Sequence, residues 1–214
     1  MRLLTVGDSF TWGQELDDNT SAWPYLLSAR LEYTLDNQAK PGSGNLRMVR
    51  YAIEHIDNYD MIIIAWTHFA RNEFADDCGF FDIWPGFNSK YFKDIIPHRV
   101  ELIEYFNKHH NDDYMYRQYL INIILLQKYL MLNNKRYLML DAFGNHQYSG
   151  RNSEKNKDLL EQIDSTYFVG WPDKSMMEWT WGTEMGVGGH FLEEGHVKVA
   201  EKLFYQMENL SWVN

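Results

Sequence analysis

Short apolar segments with strand character alternate along this chain with amphipathic helical patterns. The strongest segment covers residues 61–66 and is apolar on both faces, as in a central strand of a parallel sheet. Weaker strand patterns occur at residues 3–6, 34–39, 137–143 and 167–171. This alternation predicts an α/β fold of three layers, in which a doubly wound, flavodoxin-like parallel sheet of about five strands lies between helices.

Helical patterns fill the intervals between these strands. Residues 24–31 follow Ser21, a suitable helix cap, and residues 45–56 and 193–207 repeat apolar side chains at spacings of three and four. The chain has 214 residues, and a domain has roughly 150, so we expect a single domain over residues 1–214.

One segment, residues 72–113, interrupts the alternation. We expect it to be an insertion after the third strand, a lid over the carboxyl edge of the sheet, where open α/β sheets bind ligands. The alternative is a small aromatic core that binds no ligand. The aromatic residues of the segment include Phe74, Phe80, Phe81, Trp84, Phe87, Tyr91 and Phe92.

Charge and composition exclude several classes of protein. The chain has 20 Lys and Arg against 30 Asp and Glu, a net charge of -10, and an acidic surface repels nucleic acid. The most apolar stretch, residues 119–132, is interrupted by Asn122, Gln127 and Lys128, so we expect no membrane partner. The apolar run after Arg2 is too short for a secretion signal, which predicts a soluble, cytoplasmic protein.

Residues able to perform chemistry occur near both ends of the chain. The tripeptide Gly7-Asp8-Ser9 follows the first strand, so a serine hydroxyl is expected on a turn at the carboxyl edge of the sheet. Serine is a weak nucleophile unless a base removes its proton. A histidine that can serve as this base, His190, comes shortly before the last helical pattern.

These segments resemble the SGNH, or GDSL-type, hydrolase family. The resemblance is carried by the tripeptide after strand one, a second block after strand two, and a histidine block before the last helix. In this sequence the blocks read Gly7-Asp8-Ser9, Ser43-Gly44-Asn45 and the spaced pair His190 and His196. The longer form of the first block also resembles members from phage genomes and surface-glycan loci, for which the host cytoplasm or the virion would be the location.

The resemblance implies the SGNH fold and a role for individual residues. Ser9 would attack an ester carbonyl, and His190 would act first as general base and then as general acid. The N–H groups of Ser9 and Gly44, with one side chain at the end of strand three, would bind the oxyanion. Alternatively, Gly44 belongs only to a turn that leads into a helix.

The chain departs from the family at its third block, Gly-x-Asn-Asp, whose Asn binds the oxyanion. Residues 65–72 contain no such motif. By position, Thr67 is the expected substitute, and His68, Arg71 and Asn72 are alternatives. For Arg71 the competing interpretation is a surface ion pair without a catalytic role.

A second departure concerns the acid that orients the histidine. The family has this acid three residues before the histidine, where this chain has Val187. Asp173 or Glu184 could supply the carboxylate from the preceding loop, or a backbone carbonyl could accept from the ring in a Ser–His dyad. If the histidine block is aligned differently with the family, His196 is the base. We expect His190 to be the base, and His196 to be a packing or capping residue near the start of the last helix.

The remaining polar motifs indicate structural roles. Asp8 is expected to hold its turn by accepting backbone N–H groups, although it is also a candidate carboxylate of the site. The side chains of the neighbouring residues His109 and His110 diverge, and no second cluster has ligand spacing, so we expect no metal. The absence of a glycine-rich phosphate loop predicts no nucleotide cofactor.

Three functions are compatible with these residues. The favoured one is a serine esterase that removes small O-acyl groups, in particular acetyl, from a carbohydrate whose rings stack on the aromatic insertion. If the two departures abolish catalysis, the chain is a binding or virion-associated protein of the same fold. An O-acyltransferase would use the same Ser–His pair with a sugar hydroxyl as acceptor.

Overall fold

The computed structural model describes residues 1–87, 97–145 and 154–213. In chain order the strands are β1 (Arg2–Val6), β2 (Thr34–Asn37), β3 (Met61–Trp66), β4 (Asn72–Asp76), β5 (Gly79–Ile83), β6 (Arg136–Asp141) and β7 (Phe168–Val169). The α-helices are α1 (Ser9–Trp12), α2 (Trp23–Leu31), α3 (Asn45–His55), α4 (Pro97–His109), α5 (Asp112–Leu132), α6 (Lys157–Leu160), α7 (Met176–Trp179) and α8 (Glu193–Asn209).

Five of these strands form one parallel sheet in the order β2-β1-β3-β6-β7. The prediction of a five-stranded, doubly wound α/β fold is confirmed. All six residues of β3 are buried, because helices cover both faces of the central strand. The second strand ends at Asn37 and the last has only two residues, so both are shorter than their apolar patterns indicated.

Two apolar cores lie on opposite faces of the sheet. On one face, α3 and α5 contribute buried residues such as Met48 and Ile123. On the other face, α2 and α8 pack together through residues such as Trp23, Leu27 and Leu203. Because the strands are parallel, all the loops that follow β1, β2, β3 and β6 leave the sheet at the same edge.

The segment after β3 forms a structure of its own. Strands β4 and β5 pair as an antiparallel hairpin, and this hairpin packs on α4 around a separate apolar cluster. The Asp82 carboxylate fixes the hairpin to the loop after β2, because its Oδ1 accepts the Gly44 N–H at 2.7 Å and its Oδ2 accepts from Lys40 Nζ at 3.0 Å. The hairpin thus lies at the carboxyl edge and also has its own aromatic core. Its expected limits, 72–113, remain a prediction, and Tyr91 and Phe92 lie outside the described residues.

Two kinds of feature are absent from the described residues. None of the helices in these ranges combines the length and the apolar character needed to cross a membrane. Within the same ranges, no three His, Cys, Asp or Glu side chains come together as metal ligands would.

His196 joins the first long helix to the last. Its side chain is 1% exposed, and its Nδ1 accepts the backbone N–H of Trp23 at 3.1 Å, at the start of α2. The cap residue of α2, Ala22, has no side-chain hydrogen bond to offer, so the imidazole satisfies this N–H instead. Burial, and to a smaller extent the nearby His190, lowers the pKa of His196 to about 4.

We expect this buried, neutral histidine to make the protein less stable as the pH falls from about 6.5 to about 4. The unfolded chain takes up a proton at His196 below its ordinary pKa of 6.5, whereas the folded protein does so only below about 4. The unfolded state therefore holds more protons in this window, and acid favours unfolding. A pKa difference of this size corresponds to about 3 kcal/mol at most.

Urea unfolding at about pH 7.5 and about pH 4.5 measures this effect. The variant His196→Gln should lose the part of the pH dependence that His196 contributes. The variant His109→Gln, which changes an exposed histidine, should keep the pH dependence of the wild type. An unchanged pH dependence in His196→Gln would show that this histidine does not destabilise the folded state in acid.

Candidate active site

The site begins where β1 ends and the chain turns sharply into α1. Gly7 is required in this turn, because a Cβ at this position would lie 2.2 Å from the Thr11 hydroxyl oxygen. Asp8 caps α1, and its Oδ1 accepts the N–H of Phe10 at 3.0 Å. Ser9 is therefore the first residue of α1, at the carboxyl edge of the sheet, and 5% of its surface is exposed.

Phe10 brings the last loop of the molecule next to this turn. Its ring centroid lies 4.8 Å from that of His190 and 5.2 Å from that of Phe191. The two predicted catalytic residues, Ser9 and His190, therefore lie on the same side of the molecule, separated by 181 positions in the sequence. Within the described part of the chain their side chains share no hydrogen bond.

Glu15 holds His190 in place. Its Oε2 accepts from Nδ1 of His190 at 2.8 Å and from the backbone N–H of His190 at 3.1 Å, and its Oε1 accepts the N–H of Gly188 at 2.6 Å. One carboxylate thus binds three donors of the loop that precedes α8. The side chains of Glu15 and His190 are 17% and 14% exposed, so this pair is largely covered.

This contact sets the tautomer of the imidazole. An ionised carboxylate only accepts hydrogen bonds, so the proton of neutral His190 is placed on Nδ1. Nε2 then carries the lone pair, which is the state a general base requires. The pKa of Glu15 is lowered, first by the hydrogen bond from the Gly188 N–H and then by that from His190, which keeps the carboxylate ionised.

The backbone around Glu15 is adapted to this contact. Glu15 has φ 74°, in the left-handed region that non-glycine residues rarely adopt. Opposite it, a Cβ at Gly186 would lie 2.7 Å from the Glu15 carboxyl carbon, and one at Gly188 would lie 2.9 Å from Oε2. Such strain in a non-glycine residue is characteristic of functional sites.

Sequence reasoning did not identify Glu15. Of the positions predicted for this acid, Glu184 is exposed, as is Val187 at the family's own position, whereas the carboxylate that contacts His190 is Glu15. A signal was present, because the glycines around Val187 leave space for another side chain. The SGNH family has its acid in the loop before the histidine. The sequence prediction therefore covered that loop and did not include the loop after Ser9.

A second cluster occupies the position of the missing third block. The Thr67 hydroxyl donates to Asp8 Oδ2 at 2.6 Å, and Arg71 Nη1 lies 3.1 Å from the same hydroxyl oxygen and 3.4 Å from Asp8 Oδ2. Burial raises the pKa of the Asp8 carboxyl, while Arg71 and the hydrogen bonds from Thr67 and Phe10 act in the opposite direction. Arg71 thus pairs with the buried Asp8 carboxylate inside the site, and the charge of Asp82 in the hairpin also acts on it.

The second block stabilises this cluster. Asn45 accepts the Thr67 N–H at 3.1 Å and donates to the carbonyl of His68 at 3.1 Å. The Ser43 hydroxyl donates to the carbonyl of Gly7 at 2.8 Å. The loops after β1, β2 and β3 are thus joined by side-chain hydrogen bonds at the carboxyl edge.

Gly44, a predicted oxyanion donor, has a different contact in this structure. Its N–H donates to Asp82 of the hairpin at 2.7 Å. A Cβ at Gly44 would lie 2.5 Å from the backbone carbonyl carbon of Asn72, so the glycine here permits close packing of the hairpin. The Gly44 amide is available to an oxyanion only if the Asp82 carboxylate moves away.

Two further candidates for the oxyanion donor of the third block are Asn72 and His68. Each has its own hydrogen-bond partner in the structure. The amide of Asn72 contacts Met115 Sδ at 3.2 Å, so it is directed away from the Asp8 cluster. His68 accepts the N–H of Ala70 on Nδ1 at 3.2 Å, which leaves its proton on Nε2. Burial, followed by the charge of Arg71, lowers the pKa of His68 to about 4, so His68 is neutral near pH 7.

Comparison with known proteins gives a family and a fold. A model of a family of unknown function, DUF6071, matches residues 11–208. No curated protein matches the chain by sequence.

Three solved structures share the fold over almost the whole chain. The crystal structure of TesA is 16% identical, with TM-score 0.56, over 98% of this chain and 99% of TesA. The psychrotrophic esterase EstA from Pseudoalteromonas sp., inhibited by monoethylphosphonate, is 11% identical, with TM-score 0.56, over 99% of both chains. A two-domain esterase active on acetylated mannans is 13% identical, with TM-score 0.54, over all of this chain and 50% of that one. The chain therefore belongs to the DUF6071 family, and its fold is that of the SGNH hydrolases.

Proposed function

We propose that this protein is a serine esterase of SGNH type that removes small O-acyl groups, acetyl in particular, from a carbohydrate. The observation that carries the proposal is the Glu15–His190 contact, which holds the imidazole on the side of the molecule where the turn with Ser9 lies. A carboxylate, an imidazole and a serine in this order are the parts of a hydrolytic triad. The esterases of the same fold support the reaction type.

The proposed reaction starts with attack of the Ser9 hydroxyl oxygen on the ester carbonyl. The proton passes to Nε2 of His190, and Glu15 stabilises the imidazolium that forms. The tetrahedral intermediate collapses to an acyl-serine when His190 returns the proton to the leaving sugar hydroxyl. A water molecule, activated by the same imidazole, then releases the carboxylic acid.

The developing negative charge on the carbonyl oxygen requires hydrogen-bond donors. The backbone N–H of Ser9 is one, because as the first residue of α1 it makes no bond within the helix. Gly44 becomes the second when a substrate displaces Asp82 from its N–H. Thr67 donates to Asp8, so its part is to fix the turn next to Ser9.

The substrate class is inferred from the surfaces near the site. A cleft of about 360 Å³ is lined by Trp84 and Phe143, and the Phe143 ring lies 5.1 Å from that of Phe10 beside Ser9. Flat aromatic walls with a few polar groups suit a sugar ring better than a long acyl chain.

A fluorophosphonate probe tests whether Ser9 is an activated nucleophile. We expect labelling of the wild type on the peptide that contains Ser9, and no labelling of Ser9→Ala, as read by mass spectrometry. Phosphonylation needs the base and the oxyanion donors as well as the hydroxyl. A wild type that does not react with the probe would favour a binding protein of this fold over an esterase.

Hydrolysis of para-nitrophenyl acetate distinguishes the two histidines. His190 packs on Phe10, the neighbour of Ser9, and its Nδ1 is bound to Glu15, so in the proposed mechanism its Nε2 is the base and His190→Ala should lower kcat/KM by roughly 10³-fold or more. His196→Gln, assayed above about pH 7, should stay within several-fold of the wild type, because Nδ1 of His196 binds the Trp23 N–H. A greater loss in the second variant would assign the base to His196.

The role of Glu15 predicts a specific kinetic change. Glu15→Gln removes the charge and the fixed tautomer but keeps the size, so kcat should fall by roughly 10²–10⁴-fold with KM little changed. The controls Glu184→Gln and Asp173→Asn change the two carboxylates that the sequence predicted for this role, and they should retain wild-type kinetics. Loss of activity with an equal loss of folded protein, measured by circular dichroism, would make Glu15 a structural residue only.

A further inference from the structure

Arg71 has hydrogen-bond donors that are not used in the proposed reaction or by the part of the chain that the structure describes. Its Nη1 contacts Thr67 and Asp8, and its side chain is 20% exposed. Within the described ranges, its Nε and Nη2 groups donate no hydrogen bond. The Nε–Nη2 edge of a guanidinium is the one that binds two oxygen atoms of a carboxylate or phosphate side by side.

Aromatic rings fix the orientation of this guanidinium. Its central carbon lies 5.4 Å from the Trp84 ring centroid and 5.0 Å from the Phe143 ring centroid. Trp84 comes from the turn after β5, and Phe143 comes from the loop after β6. A guanidinium that is held by rings and by Asp8 loses little further freedom when a ligand binds, which favours affinity.

Arg71 lines a cleft of suitable size. The cleft has a volume of about 360 Å³, within the usual range for small-ligand sites. Its lining combines the cation and the two rings with three further side chains, His68, His110 and Asp112, and with Pro85. One wall of the cleft is near the turn that holds Ser9, because the ring of Phe143 lies 5.1 Å from that of Phe10.

Arg71 is the cation of the cleft lining, and the charges of two carboxylates, Asp8 and Asp82, act on it. Asp82 is itself paired with Lys40 at 3.0 Å. His68 is neutral near pH 7, because burial lowers its pKa to about 4. Asp8 lies on the Nη1 side of the guanidinium, where it accepts at 3.4 Å. The acidic side chain across the cleft, Asp112, is 59% exposed, so solvent screens its charge.

We propose that this cleft binds a sugar that carries a two-oxygen anion, a carboxylate or a phosphate, through the Nε–Nη2 edge of Arg71, with the sugar ring against Trp84. The inference rests on the proposed function and makes it more specific: the ester substrate is an acidic glycan. Of the two sources of the anion, a uronate carboxylate requires no group beyond the sugar ring itself.

Binding to the Ser9→Ala protein tests this proposal without turnover. Isothermal titration with methyl glucuronide, glucose 1-phosphate and neutral methyl glucoside should show at least about tenfold tighter binding of an anionic sugar than of the neutral one. Tighter binding of the glucuronide assigns the carboxylate, and tighter binding of the phosphate assigns the phosphate. Equal binding of all three sugars, or binding of none, would overturn the proposal.

Variants in the same background identify the residue responsible. Arg71→Lys keeps the charge but loses the planar edge, so the preference for the anionic sugar should fall by about tenfold. The matched control Arg99→Lys changes an arginine whose Nε and Nη2 already bind Asp76, at 2.6 and 2.7 Å, and should leave the preference unchanged. An equal loss of preference in both variants would contradict a specific role for Arg71.

A third variant, Asp112→Asn, leaves the buried cluster of Asp8, Thr67 and Arg71 unchanged. Asp112→Asn removes an exposed carboxylate from the lining of the cleft, so it should tighten binding of the anionic sugar by about two- to threefold. Weaker or unchanged binding would place the anion elsewhere. The titrations measure binding of the sugar and need no reaction, whereas the fluorophosphonate probe measures the reactivity of Ser9. Either proposal can therefore fail without the other.

Discussion

The Glu15 carboxylate connects the two ends of the chain. It binds a backbone N–H of Gly188 and both the backbone N–H and the imidazole of His190, about 175 positions away in the sequence. A carboxylate that accepts three hydrogen bonds with little exposure is strongly fixed. The position of the imidazole depends on this contact, and so does the acyl chemistry proposed for Ser9 and His190.

The parallel sheet makes this contact possible. In a doubly wound sheet the loops after all strands leave at one edge, so residues distant in the sequence meet there. The loops after β1, β2 and β3 are then joined by buried side chains, with Asn45 and Thr67 at the centre. The β4–β5 hairpin covers the same edge and contributes Trp84 to the cleft that Arg71 lines.

The two departures from the SGNH pattern have different structural outcomes. The carboxylate that contacts His190 is Glu15, which comes from the loop after Ser9 instead of the loop before the histidine, and in the proposed mechanism it is the orienting acid. The third block is replaced by an ion pair of Arg71 with Asp8, which rebuilds the turn without restoring an asparagine. The proposed recognition of an acidic sugar follows from this replacement, because a guanidinium binds anions that an amide does not select.

The sequence by itself determined the fold class and the two residues at the centre of the proposed reaction. The apolar run of β3 and the alternation of strands with helices are local patterns, and the Gly7-Asp8-Ser9 block and His190 lie at fixed places relative to them. Only the tertiary structure decided which carboxylate binds His190. The same holds for the hydrogen bond from the Trp23 N–H at the start of α2 to His196, and for the one from the Gly44 N–H to Asp82. These contacts join residues far apart in the chain, and they depend on loop conformations such as the positive φ of Glu15, which no periodic pattern encodes.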